Sequence, residues 1–184
     1  MRNVLVSEAV TLDGYFAGPN GEIDWHVVDD EFNAQAAELL DSVDTLLFGR
    51  VTYQLMAAYW PTPAALTDDP IIAAKMNALQ KVVFSRTLKA ADWNNSRLAS
   101  KDLHAEITTL KQQPGKDMVI FGSGSLVSQL TTMGLLDEYR LFIHPVVLGA
   151  GKPLWGNLQD RLGLKLIGTR AFGSGNVLLT YRRP

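Results

Sequence analysis

Cysteine is absent from this 184-residue sequence. The chain therefore has no disulfide bond, no thiolate zinc site and no cysteine nucleophile. Basic residues are not in excess either: 17 lysines and arginines are balanced by 19 aspartates and glutamates, for a net charge of −2. That balance argues against nucleic acid or an anionic membrane surface as a partner. An anionic ligand would have to be bound by a local arrangement of groups.

Long apolar runs are missing as well. No stretch approaches the roughly 18 consecutive apolar residues of a membrane span, and Glu8 interrupts the N-terminal run, unlike the core of a signal peptide. We therefore expect a cytoplasmic protein. With 47% hydrophobic residues the chain can build one sizeable core, and we expect a single domain over residues 1–184.

The most informative stretch begins at Met118, where a short apolar run breaks into Gly122-Ser123-Gly124-Ser125 and then resumes with helical spacing at Leu126. The pattern predicts a buried strand, a tight turn and a helix that stops at Gly134. Gly122 and Gly124 can adopt positive φ, and a helix N-terminus offers unpaired N–H groups to an anion. Taken alone, this turn fits a phosphate cradle or a simple chain reversal.

Two further predicted strands end in comparable turns. Thr45–Phe48 leads into Gly49-Arg50-Val51-Thr52, and Lys81–Phe84 leads into Ser85-Arg86-Thr87. Ligands of α/β sheets bind beyond the carboxyl ends of the strands, so the three turns would share one edge. The set suits a ligand with several phosphates, best a dinucleotide with a 2′-phosphate. Each arginine taken separately is equally compatible with a solvated surface charge.

The rest of the chain favours an α/β fold with a largely parallel sheet and an antiparallel edge. A first strand over Val4–Leu12 ends at Asp13-Gly14, and a late strand over Asp137–Leu148 contains Pro145, which marks an edge, bulge or strand end. Helices are predicted from Asp29 or Asp30, from Gly49-Arg50, after Asp69-Pro70 and after Ser100. Leu164–Phe172 and Val177–Arg182 flank a Gly-rich turn and predict a C-terminal hairpin.

Several familiar site motifs do not fit. Gly122-Ser123-Gly124 lacks the third glycine of a Rossmann fingerprint, Gly151-Lys152-Pro153 lacks the Walker hydroxyl, and neither Ser123 nor Ser125 has both glycines of a nucleophile elbow. The three histidines show no metal-ligand spacing, so we expect no metal site and interpret them as core or surface residues: His26, His104 and His144.

Aromatic and acidic residues that follow the first strand are candidates for the substrate side. Tyr15 and Trp25 lie on a predicted loop, where they suit either a ligand face or a cap on the core. Asp13 and Asp30 are candidate proton donors or orienting groups. A turn aspartate and a helix cap are the alternative interpretations of these two carboxylates.

In order, these motifs resemble the dihydrofolate-reductase-like family, and most of all the C-terminal reductase domain of bacterial bifunctional riboflavin deaminase-reductase. The likeness spans nearly the whole chain and is carried by Thr11–Gly14, Asp44–Tyr53, Val83–Leu88, Phe121–Leu126 and Leu136–Gly149. The resemblance implies a three-layer α/β/α fold with a mostly parallel mixed sheet and an antiparallel C-terminal hairpin. It also implies NADPH across the carboxyl edge of the sheet.

Carried over by position, the resemblance assigns three groups of residues to the cofactor. Gly49, Arg50 and Thr52 match the helix start that holds phosphate, and Ser85 and Arg86, with Thr87 in the same turn, match the 2′-phosphate turn. The pyrophosphate loop is matched by Gly122, Ser123, Gly124, Ser125 and Leu126. Glu8 stands where riboflavin reductases usually have a lysine, and relatives often dimerise through late strands, which here include Tyr139–Leu148.

We therefore predict an NADPH-dependent reductase of a pyrimidine- or pterin-like heterocycle. The specific hypothesis is 5-amino-6-(5-phosphoribosylamino)uracil reductase of riboflavin biosynthesis. Dihydrofolate reductase and an orphan NADPH reductase are alternative enzymes, and a non-catalytic NADP-binding module is an alternative of another class. The expected partners are a small heterocyclic substrate and a second copy of the chain, with neither nucleic acid nor a membrane.

Overall fold

The structure is a computed structural model that describes residues 1–156 and 158–184. In chain order its elements are β1 (Val4–Thr11), β2 (Tyr15–Ala17), α1 (Asp30–Ser42), β3 (Val43–Gly49), α2 (Arg50–Tyr59), α3 (Pro63–Asp68), α4 (Pro70–Ala78), β4 (Gln80–Phe84), β5 (Ser96–Leu98), α5 (Leu103–Gln112), β6 (Asp117–Phe121), α6 (Gly124–Thr132), β7 (Glu138–His144), β8 (Lys152–Pro153), β9 (Lys165–Ala171) and β10 (Val177–Arg182). Across the described part of the chain, no helix has the length and apolarity needed to cross a membrane.

Eight of the strands form one mixed sheet in the order β5-β4-β3-β6-β1-β7-β10-β9. The first six strands in that order run parallel to one another. β10 is antiparallel to both β7 and β9, and it forms the C-terminal hairpin with β9. The predicted α/β class, the mostly parallel mixed sheet and the antiparallel hairpin are confirmed. β2 and β8 form a separate two-stranded ribbon.

Helices cover both faces of the sheet, which gives the three layers. All eight residues of β1 are buried, as expected for a strand in the middle of a parallel sheet. Because successive side chains point to opposite faces, Val6 packs in the core that includes Leu130 of α6, whereas Leu5 packs in the core that includes Leu39 of α1. The centre of the sheet is thus fixed by apolar packing from both sides.

Local sequence signals identified most helix starts. Asp69 caps α4 by accepting the Ile72 N–H at 3.3 Å, with Pro70 in the first turn, as predicted. The predicted start at Ser100 is wrong, because Asp102 caps α5 by accepting the Ala105 N–H at 3.0 Å. Four short elements were not predicted, namely β2, α3, β5 and β8. Of these, α3 has a recognisable start, since Thr62 caps it directly before Pro63.

Candidate functional site

Three of the predicted turns lie side by side at the carboxyl edge of the sheet. β4, β3 and β6 are adjacent parallel strands, so the turns that follow them meet at one edge. Two of these turns are joined directly. The Gly49 N–H donates to Ser123 Oγ at 2.9 Å, and the Ser123 N–H donates to Thr52 Oγ1 at 3.0 Å. These bonds fix the start of α2 relative to the start of α6.

The turn after β6 contains two successive residues in the left-handed region, Gly122 at φ 59° and Ser123 at φ 60°. A Cβ on Gly122 would lie 2.9 Å from Thr52 Cγ2, so both conformation and space require glycine there. The expectation of positive φ at Gly124 is wrong, because Gly124 is the first residue of α6. Glycine is needed there for space, since an added Cβ would lie 2.6 Å from Phe16 Cε1.

Unpaired backbone N–H groups are available at both helix starts. The first N–H groups of an α-helix have no acceptor within the helix. In α6 these N–H groups include those of Gly124 and Ser125, and in α2 they include that of Val51. Two positive dipole ends therefore open on one edge, an arrangement that can bind the two phosphates of a dinucleotide.

The two predicted arginines have different surroundings. Arg50 is exposed, and its Nη1 donates to Gln54 Oε1 at 3.0 Å, one turn further along α2. Arg86 is also exposed, and it makes no hydrogen bond or ion pair with any described residue. The Ser85 hydroxyl closes the turn that carries Arg86, because it accepts the N–H groups of Thr87 at 3.2 Å and Leu88 at 3.0 Å. Arg86 thus projects from a closed turn with its guanidinium available.

Leu126, also assigned to the cofactor by the resemblance, belongs to the core. Its side chain is 3% exposed and packs in the cluster that includes Val6 and Leu130. Its N–H donates to the Ser123 carbonyl at 2.7 Å. In this position Leu126 anchors the first turn of α6 beneath the loop.

Asp13 connects the end of β1 to the segment that follows β7. It accepts the Thr11 hydroxyl at 2.6 Å and the Gly149 N–H at 2.8 Å. The Thr11 hydroxyl contributes most to lowering the pKa of Asp13, and the N–H groups of Gly149 and Leu148 lower it further. A carboxylate held in its ionised form suits an orienting role better than proton donation.

Glu8 is a buried acid that sequence reasoning did not place in the site. It lies on β1 with 7% exposure, and burial raises its pKa to about 8, although the N–H groups of Gly122 and Ala9 oppose the rise. The carboxyl is therefore protonated at pH 7, and its Oε2 is buried without a hydrogen-bond partner. A neutral acid thus lies beside the Gly122-Ser123 turn. The signal that marks it is a single glutamate within an apolar, β-branched run.

The remaining candidates for the substrate side lie at separate places in the structure. Tyr15 belongs to β2, where it pairs with Pro153 of β8. Asp30 is exposed in the first turn of α1, and the cap of that helix is Asp29, whose Oδ1 accepts the Phe32 N–H at 2.8 Å. Trp25 lies against two imidazoles, with ring centroids 4.4 Å from His26 and 5.4 Å from His144.

His26 and His144 stack on each other with ring centroids 5.4 Å apart, which the interpretation of isolated histidines did not anticipate. His144 ends β7 and is fully buried, next to Thr11 at the end of β1. Burial lowers the pKa of both imidazoles, that of His26 to about 4 with a smaller contribution from His144, so both are neutral at pH 7. No local motif could have revealed a pair that is 118 positions apart in the printed sequence.

A groove of about 660 Å³ lies elsewhere, between α2, α4 and the segment before β5. Its lining includes Tyr53, Asn77 and Trp93 but none of the predicted site residues. The dinucleotide assignment therefore rests on the strand ends and not on this groove.

Residues 2–178 match the family described as the RibD C-terminal domain. The chain belongs to this family. The RibD C-terminal domain family is reductase-like, which makes this chain a member of an oxidoreductase-like family and confirms the family resemblance.

Solved structures agree with this assignment. A candidate riboflavin biosynthesis protein from Shewanella sp. PV-4 is similar over 100% of this chain and 99% of its own, with 25% identity and a TM-score of 0.76. The Thermotoga maritima diaminohydroxyphosphoribosylaminopyrimidine deaminase/5-amino-6-(5-phosphoribosylamino)uracil reductase is similar over 100% of this chain and 57% of its own, with 16% identity and a TM-score of 0.71. Dihydrofolate reductase from Enterococcus faecalis, complexed with NADP(H), is similar over 98% of this chain and 96% of its own, with 15% identity and a TM-score of 0.66. The dihydrofolate-reductase-like fold is confirmed.

Proposed function

We propose that this RibD C-terminal domain is an NADPH-dependent reductase of a pyrimidine- or pterin-like heterocycle. The observation that carries the proposal is the direct bonding between the turns after β3 and β6, which sets two helix N-termini at one edge. The fold shared with a dihydrofolate reductase that was solved with NADP(H) supports the same cofactor. Within the family, 5-amino-6-(5-phosphoribosylamino)uracil reductase remains the specific hypothesis, supported by the reductase half of the Thermotoga maritima protein.

The residues present fit a phosphorylated dinucleotide. Gly122 adopts the left-handed conformation that turns the chain into α6, and the N–H groups of Gly124 and Ser125 would bind the pyrophosphate. Arg86, on the turn closed by Ser85, would bind the 2′-phosphate, because a guanidinium pairs with a phosphate through two parallel hydrogen bonds. Arg50 would add positive charge at the start of α2.

When bound, the nicotinamide supplies a hydride, so that the reduced C=N or C=O bond of the substrate gains that hydride on carbon and one proton on nitrogen or oxygen. The chain orients the two reactants at the ends of β1 and β6. Asp13 is ionised and fixed by Gly149, so it holds the β1 loop in place. Asp30, exposed at the start of α1, is the predicted acid on the substrate side.

Titration of the purified protein with NADPH and NADH, followed by nicotinamide fluorescence, tests the cofactor assignment. We expect NADPH to bind more tightly, because only NADPH carries the 2′-phosphate. Equal affinities would overturn the assignment of the Ser85-Arg86 turn. Oxidation of NADPH at 340 nm in the presence of dihydrofolate or of the uracil intermediate then tests turnover, and binding without oxidation of NADPH would favour the NADP-binding module.

A further inference from the structure

Two buried polar atoms without partners belong to residues that face each other at the end of β7. His144 Nε2 and Asn176 Oδ1 are both inaccessible to solvent and have no hydrogen-bond partner, and both residues are 0% exposed. They are neighbours across the β7–β10 pair, because Ile143 is paired with Val177 and the next positions are His144 and Asn176. Buried polar groups are nearly always hydrogen-bonded, so two adjacent exceptions require an explanation.

Val27 determines which of the two atoms is the donor. The Val27 N–H donates to His144 Nδ1 at 3.1 Å, so the neutral imidazole carries its proton on Nε2. The Val27 carbonyl accepts from Asn176 Nδ2 at 3.0 Å, so the amide oxygen of Asn176 is the group left over. The result is one unpaired N–H donor and one unpaired C=O acceptor on two neighbouring residues, with their polarity fixed by the backbone of Val27.

A donor beside an acceptor is complementary to a lactam, the –CO–NH– edge found on uracil and pterin rings. The surroundings suit a planar ring, since Trp25 and Phe32 lie with centroids 5.4 Å and 6.2 Å from that of His144. The site also adjoins the proposed reductase site, because His144 is paired with Thr11 at the end of β1. Both atoms are covered, and the half-exposed Trp25 side chain, which lies against His144, would have to rotate away to admit a ring while the Val27 backbone stays in place.

We propose that His144 and Asn176 form a subsite that recognises the lactam edge of the substrate's heterocycle. This inference rests on the proposed reductase function for its place in catalysis but not for its test. A water molecule could satisfy the same two atoms, and it would show no preference between ligands with and without a lactam N–H.

The test uses lumazine, a fluorescent ring with lactam N–H groups at N1 and N3, and 1,3-dimethyllumazine, in which both of these N–H groups are replaced by methyl groups. Titrating the purified protein with each probe, without NADPH, should show about tenfold weaker binding of the methylated probe, as expected for one lost hydrogen bond that leaves a buried acceptor unpaired. Equal binding of the two probes, or no binding of lumazine at millimolar concentration, would overturn the proposal.

Substitutions of His144 and Asn176, with a control at an exposed histidine, test whether lumazine binds at these two residues. His144→Phe should weaken lumazine binding about tenfold, while His104→Phe, on the exposed surface of α5, should leave it unchanged. The circular dichroism spectrum and urea unfolding curve of each variant report whether the protein is folded. Asn176→Leu should bring lumazine and 1,3-dimethyllumazine to equal affinity, and a preference that persists in this variant would also overturn the proposal. A wild-type protein that prefers lumazine but does not bind NADPH would support the subsite while contradicting the proposed reductase.

Discussion

Ser123, in the turn before α6, and Thr52, in the first turn of helix α2, are 71 residues apart in sequence, and the backbone N–H of Ser123 donates to Thr52 Oγ1 at 3.0 Å. The same threonine makes glycine necessary at position 122, because an added Cβ would meet its methyl group. One side chain on α2 thus determines the shape of the turn before α6. Dinucleotide affinity and local stability should therefore change together when this contact is removed.

Replacing Thr52 with valine keeps the shape of the side chain and removes the acceptor. We expect Thr52→Val to lower the free energy of unfolding by about 1–2 kcal/mol, since the half-buried Ser123 N–H loses its partner. The affinities for NADPH and for NADH should decrease by similar factors, because the proposed pyrophosphate loop would bind both nucleotides. Urea unfolding and the two nucleotide titrations measure these effects. Thr52→Ser keeps the hydroxyl and is the control. If Thr52→Ser lowered the free energy of unfolding as much as Thr52→Val, the role of the hydrogen bond would be contradicted.

Replacing Arg86 with alanine should separate the two nucleotides. Charge-assisted hydrogen bonds contribute about 1.5–3 kcal/mol, so NADPH should bind roughly 10–150-fold more weakly to Arg86→Ala, with little change for NADH. Both dissociation constants can be measured by nicotinamide fluorescence. Lys89→Ala removes another exposed positive charge nearby and should leave the NADPH preference intact. Equal weakening of NADPH and NADH would show that Arg86 does not bind the 2′-phosphate.

A methyl group at position 124 should destabilise the chain by crowding Phe16. An added Cβ would lie 2.6 Å from Phe16 Cε1 and 2.8 Å from Cζ, so Gly124→Ala should cost about 1–3 kcal/mol in the free energy of unfolding. Leucine is smaller than phenylalanine and has no ring, so Phe16→Leu should relieve the crowding. The double variant should therefore be more stable than the sum of the two single changes predicts. Strict additivity in urea unfolding would mean that Phe16 is not the residue that Gly124 accommodates.

Glu8 should make stability depend on pH. Its pKa is about 8 in the folded chain and near 4.5 when exposed, so between these values the folded state holds a proton that the unfolded state releases. The free energy of unfolding should then fall as the pH rises through this window, by up to about 1.4 kcal/mol per pH unit, and level off above pH 8. Glu8→Gln should remove this component, measured as the difference between the urea unfolding curves of the two proteins.

The same titration should affect nucleotide binding. Above pH 8 an ionised Glu8 adds a negative charge beside Gly122, where the pyrophosphate would lie. NADPH affinity should therefore decrease from pH 7 to pH 9 in the wild type more steeply than in Glu8→Gln. Parallel pH profiles for the two proteins would indicate that the Glu8 carboxyl does not influence the cradle.

Features encoded by neighbouring residues could be predicted from the sequence. The strand, turn and helix around Gly122 and the cap at Asp69 follow from local pattern, and the parallel sheet then brings the strand ends together. Contacts between residues that are distant in the sequence could not be predicted in this way. Val27 contacts His144 across 117 positions and Asn176 across 149, and no spacing rule connects such residues. The neutral state of Glu8 likewise depends on burial that only the folded chain creates.

The bonds from Val27 to His144 and Asn176 both involve its main chain, whereas its side chain is 38% exposed. Evolution can therefore exchange the side chain at position 27 freely, while proline, which has no N–H, is the one residue that would release the imidazole. Among relatives that keep these two hydrogen bonds, we therefore expect the residue at position 27 to vary, with proline excluded. The contacts that hold His144 and Asn176 would then leave no record in the amino acid found at that position.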